Sequence, residues 1–100
     1  MIKHIVMWNF KENANGKSKK ENILEAKEKI EGLKNIIESI IDLELGVNID
    51  GLTGNYDLVL YTEFKDEEGL EYYQKHPEHL PIVDYMREVV ESRACVDYKA

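Results

Sequence analysis

One hundred residues with 43% hydrophobic and 9% aromatic content fit one globular domain with a modest core and argue against a disordered chain. Thirteen Lys and Arg stand against 20 Asp and Glu, a formal charge of -7, so most of the surface would repel a phosphate backbone, which leaves nucleic acid and anionic membranes as poor partners. The single cysteine, Cys95, has no mate for a disulfide, a CxxC redox pair or a zinc pattern, and this suits a reducing cytosol.

Taken in order, Ile2 to Lys11 is rich in β-branched and aromatic residues and reads as a strand with apolar side chains on both parities. Its run Ile5 to Trp8 is far too short for a signal segment or a membrane span, so the chain reads as soluble and cytoplasmic. Glu12 to Lys20 is a polar connection, ending in a capping-box pattern of Ser18 and Glu21. Ile23, Ala26, Ile30, Leu33, Ile37 and Ile40 then recur at three and four residues, which predicts one helix of about 20 residues. Gly32 inside it is either a close approach of backbone to the sheet or without a role.

Ile41 to Asn48 reads as a one-sided strand with Ile41, Leu43, Leu45 and Val47 inward, and the turn pairs Asp50-Gly51 and Gly54-Asn55 make the next link a long hairpin loop. The strand Tyr56 to Phe64 is apolar on both faces, with Leu58 and Leu60 on one parity and Val59 and Tyr61 on the other. Asp66 is the expected N-cap of a short helix bearing Leu70, Tyr72 and Tyr73, which must stop near His76 because Pro77 drives the preceding residue out of the α region. Pro81 opens a further helix through Ile82, Val83, Met86, Val89 and Val90, and Ser92 to Lys99 closes the chain as a strand.

The order β-α-β-β-α-β, with the second helix broken at His76-Pro77, is the α+β ferredoxin-like topology with a four-stranded antiparallel sheet, and residues 1–100 form a single domain. Helices can cover only one face of such a sheet. Ile5, Met7, Val59 and Tyr61 would form an apolar patch on the other, so a homodimer is expected.

The chemistry-bearing residues are few. Three histidines without an HExxH context or a cysteine cluster give no metal site, and there is no Gly-rich phosphate loop or nucleophile elbow, so no cofactor is called for. What remains is Tyr72-Tyr73 with His76-Pro77-Glu78-His79. Tyr73, three residues from Leu70, is the better placed of the two tyrosines to face inward. His76 reads either as a cap for helix-end carbonyls or as a ligand contact. His79 reads either as a hydrogen-bonded buried histidine or as a general base, its unperturbed pKa of about 6.5 suiting neutral pH. His4 shares the parity of Val6 and Trp8 and is either a core histidine or part of the same cavity.

The starting Lys3-His4-Ile5-Val6, the strand YDLVLYTEF, the segment YYQKHPEH and the terminal VDY together resemble the stress-responsive α/β-barrel domain family. The likeness runs the length of the chain. It implies a ferredoxin-like protomer whose open sheet face packs on that of a second copy to make a dimeric α/β barrel. Most members have no assigned reaction, but one characterised type, the olivetolic acid cyclases, closes a linear polyketide without a cofactor. The resemblance makes Tyr73 and His79 the counterparts of that catalytic pair and places His4 in the pocket, whereas Leu58 stands where that type has another pocket histidine.

Three readings stay open. The chain is a dimer that binds an apolar or aromatic metabolite between sheet and helices, through His4, Val6, Trp8, Leu58, Leu60 and His76. It is instead a cofactor-free cyclase or lyase using Tyr73 and His79, or a structural, stress-protective dimer without a ligand.

Overall fold

The computed structural model describes residues 1–100. Strand β1 (Ile2–Phe10) leads into a two-residue pair, β2 (Asn13–Ala14) and β3 (Lys17–Ser18), then helix α1 (Lys19–Glu31), strand β4 (Asp42–Val47), strand β5 (Leu58–Phe64), helices α2 (Glu67–Lys75) and α3 (Leu80–Val89), and strand β6 (Val90–Lys99). The main sheet has the order β4-β5-β1-β6, antiparallel throughout, which is the ferredoxin-like arrangement. No helix is long and apolar enough to cross a membrane.

Period-two alternation sorts β1 cleanly. Ile2, His4, Val6, Trp8 and Phe10 are buried beneath the helices, while Lys3, Ile5, Met7 and Asn9 are half-buried on the opposite face. The register then assigns the rest of both faces. Leu60 sits opposite Val6, and Leu58 opposite Trp8, on the covered side. On the other side Met7 lies between Val59 and Ala94, and Ile5 between Tyr61 and Val96, so the apolar stripe expected there crosses three strands. Val96 at 51% and Tyr98 at 43% keep much of their surface open to water.

Several expectations of extent are corrected. The polar connection after β1 contains a hairpin: Asn15 (φ 54°) and Gly16 (φ 74°) both take left-handed backbone, the turn that matches strand twist. Helix α1 has the capping box of Ser18 and Glu21, but it ends at Glu31. Beyond Gly32 the chain turns tightly, with Leu33 N donating to Ile30 O, Ile36 N to Leu33 O and Ile40 N to Ile37 O. Turns of this kind repeat every three residues, close to a helical period, so Leu33, Ile37 and Ile40 stay buried on the helix face and mimic a longer helix. Gly32 makes no close approach to the sheet: its φ is -62°, and a Cβ there would meet only its own helix's carbonyls, the nearest being Lys29 O at 3.5 Å.

Ile41 lies outside β4 and is half exposed, and Val47 at its far end is also exposed, because each sits where the edge strand runs out of helix cover. Asp57, just before β5, is bound to β1 from both ends: its Oδ2 accepts from Phe10 N at 2.8 Å and its N–H donates to Trp8 O at 2.9 Å. Val90, expected to close α3, begins β6, so helix passes into strand with no loop between them.

Candidate functional site

Asp66 caps α2 as expected, its side chain accepting from Gly69 N at 2.9 Å, and His76 ends the helix with ψ at 136°, the extended conformation Pro77 imposes. This short helix places Tyr73 inward, 2% exposed, against Phe64 and the edge of His4, while Tyr72 faces out. After the Pro77 turn the chain returns at once, and His79 becomes the residue that starts α3, with its ring 4.4 Å from that of Tyr73.

Beneath these two rings lies a cavity of about 540 Å³, within the range of small-molecule sites. Its floor is the sheet, with His4, Val6, Trp8 and Leu60, and its roof is α3, with Ile82, Val83 and Met86. Tyr73 and His79 close one end. The exposed side chains of Arg87, Glu91 and Arg93 line its mouth.

The electrostatics give each polar group a state. Burial pushes the Tyr73 hydroxyl up to about 12, so it remains a proton donor at neutral pH. His79 Nδ1 lies 3.1 Å from the Gln74 carbonyl, which can only accept, so the ring proton is on Nδ1 and Nε2 keeps its lone pair. Burial lowers the His79 pKa below its ordinary value, with His4 and His76 adding to the effect and the Gln74 bond opposing it. A histidine fixed this way is neutral, with one nitrogen free to accept a proton.

His4 Nδ1 is hydrogen-bonded to Asp97, which faces it across the β1–β6 register, and Cys95 Sγ lies 3.7 Å from the same nitrogen. These three side chains bring donor atoms within 4.8 Å of one another, a juxtaposition made by strand pairing that the spacing along the chain does not reveal. Burial and the neighbouring Asp97 push the Cys95 thiol up, and His4 Nδ1 is engaged, so the trio as it stands is a hydrogen-bonded group rather than a set of free ligands. Cys95 itself is exposed on the outer strand.

Six of the eight residues singled out in the sequence meet at this cavity: His4, Val6, Trp8, Leu60, Tyr73 and His79. Two do not. Leu58 is buried in the core behind Trp8 and is not part of the cavity wall. His76 lies over Tyr72 in a shallow outer depression, and its Nδ1 accepts from Glu78 N at 3.0 Å, so it braces the Pro77 turn instead of capping helix carbonyls. The sequence reading missed Gln74, whose carbonyl sets the His79 tautomer, and both arginines, which β6 and α3 carry to the mouth.

Comparison with known proteins agrees with this architecture. A 1.85 Å crystal structure of a dimeric ferredoxin-like protein of unknown function from Bacteroides fragilis is 33% identical, with a TM-score of 0.87 over 99% of this chain and 95% of that one. A protein of Arabidopsis thaliana is 24% identical, with a TM-score of 0.79 over 100% and 95% of the two chains. The hydroxynitrile lyase of Passiflora edulis shares the fold at 14% identity, with a TM-score of 0.81 over 97% and 90%. No curated protein matches. The model of the stress responsive A/B barrel domain matches residues 2–100, and with that span this chain belongs to the stress-responsive A/B barrel domain family.

Proposed function

We propose that this chain acts as a homodimer and binds an apolar or aromatic metabolite in the cavity between its sheet and its helices. The observation that carries this reading is the cavity itself: Val6, Trp8, Leu60, Ile82 and Met86 supply apolar walls, and Tyr73 and His79 supply a donor and an acceptor at one end. A structural dimer needs no such void, since a packed core is the cheaper way to hold these elements together. The dimeric description of the Bacteroides fragilis relative supports the assembly.

The test is an NMR titration of the dimer with small aromatic compounds, following the Trp8 indole and the His79 ring. Saturable shifts at both are expected. Shifts that track only the outer depression near Tyr72, or none at millimolar ligand, would overturn the reading.

One observation favours catalysis at the same place. Neutral His79, its proton held on Nδ1, can take a proton from a carbon acidified by a neighbouring carbonyl while the Tyr73 hydroxyl donates to the carbonyl oxygen that gains charge. Neither step needs a cofactor. That the fold houses a lyase in Passiflora edulis shows what the architecture can host and fixes no chemistry here. If this reading holds, short linear polyketide acids are converted, His79→Ala loses roughly 10²- to 10⁴-fold in rate, and Tyr73→Phe folds normally yet loses activity. Binding without turnover would leave the first reading in place.

A further inference from the structure

Of the 13 basic side chains in this acidic protein only two are arginines, and both of them, Arg87 and Arg93, line the one cavity that Tyr73 and His79 close. No lysine does. The placement follows from the fold. Arg93 lies opposite Trp8 in the β1–β6 register, so it projects on the helix-covered face of the edge strand, over the cavity floor. Arg87 reaches the same mouth from α3, and its guanidinium is already spoken for in part by Asp84 at 3.7 Å. Arg93 takes part in none of the ion pairs of the chain. Glu91, the carboxylate on the mouth, makes no ion pair with either arginine.

Resting on the binding reading above, we infer that the ligand is an apolar monocarboxylic acid, its body against Val6, Trp8 and Leu60 and its carboxylate on the guanidinium of Arg93, which no carboxylate of the chain engages. An arginine presents a planar fork of donors that matches a carboxylate in two parallel hydrogen bonds, which a lysine cannot do. With Arg87 partly engaged by Asp84 and Glu91 on the same mouth, Arg93 suits one negative charge better than the two of a phosphate monoester. The other end of such a ligand then meets Tyr73 and His79, and Arg93 orients it lengthwise in the cavity.

The experiment compares 1-naphthoate with its uncharged counterpart 1-naphthamide by NMR titration of the wild-type dimer and of Arg93→Gln and Arg93→Lys. The acid is expected to bind at least about tenfold more tightly than the amide, as charge-assisted bonds at a partly exposed site allow. Arg93→Gln should remove that preference, with the amide still shifting Trp8 and His79 to show that the variant is folded, and Arg93→Lys should restore only part of it. Equal binding of acid and amide, or an acid preference that survives Arg93→Gln, would overturn the inference and leave the cavity reading standing. If neither compound moves Trp8 or His79, the cavity reading itself fails and the inference falls with it.

Discussion

Replacing Val59 by lysine probes the middle of the open sheet face. Val59 is half-buried at the middle of β5, with Met7 beside it on β1 and Gly46 on β4, and no helix crosses this side. If a second sheet covers it, each Val59 gains about 1.5 kcal/mol, the low end for an aliphatic side chain because part of its surface is already hidden. A twofold axis makes the loss count twice, about 3 kcal/mol per dimer, which is roughly a hundredfold in dissociation constant. Lysine adds the cost of bringing an ammonium between two sheets, lessened where the side chain can extend to water. Size exclusion with light scattering across micromolar loading should give about twice 11.7 kDa for the wild type and a shift toward 11.7 kDa for Val59→Lys. Lys27→Ala on the outer face of α1 is the control: it breaks only the 2.9 Å pair with Glu31 and should leave the mass unchanged. A wild-type monomer, or a variant that dissociates no more readily than the control, would refute the covered-face argument.

Gly32→Ala should stabilise the fold by about 0.4–1 kcal/mol, since its backbone is already right-handed and the added methyl meets only ordinary contacts; a lower melting temperature would mean that the turn after α1 needs glycine for a reason not visible in its geometry. His79 titrates below its ordinary value of 6.5, so the unfolded chain takes up its proton first: the stability tied to neutral His79 is complete above about pH 6.5 and is lost as pH falls through the lowered folded value. Urea melts of the wild type and His79→Gln should therefore converge or cross on acidification, and parallel pH dependence of the two would contradict the assignment. Any turnover by His79 should fall over the same range, because the imidazolium has no lone pair to accept a proton.

The fold was legible where one residue type admits one conformation. Pro77 stops α2, Asp66 and Ser18 start helices, and alternation in β1 separates Val6 and Trp8 from Ile5 and Met7. It was less legible where two conformations share a period. The spacing of Leu33, Ile37 and Ile40 is the same in a tight-turn segment as in an α-helix, and only the hydrogen bonds tell them apart. Asn15-Gly16 did carry a hairpin signal, but with two residues on each side there was no alternating pattern to draw attention to it.

The site was legible in part for a related reason. Tyr73 and His79 lie six residues apart around a forced turn, so their meeting needs only local geometry. Arg93, Asp97 and Cys95 reach the neighbourhood of His4 and Trp8 through β1–β6 pairing across some 90 residues of sequence, and a slip of one residue would send all three to the open face. That register is what a cavity of this kind depends on. The same pairing that buries His4 against Asp97 aims Arg93 over Trp8, so disturbing β6 should disturb the polar end and the charged mouth together, whereas truncating Ile82 on the roof should enlarge the cavity and leave both in place.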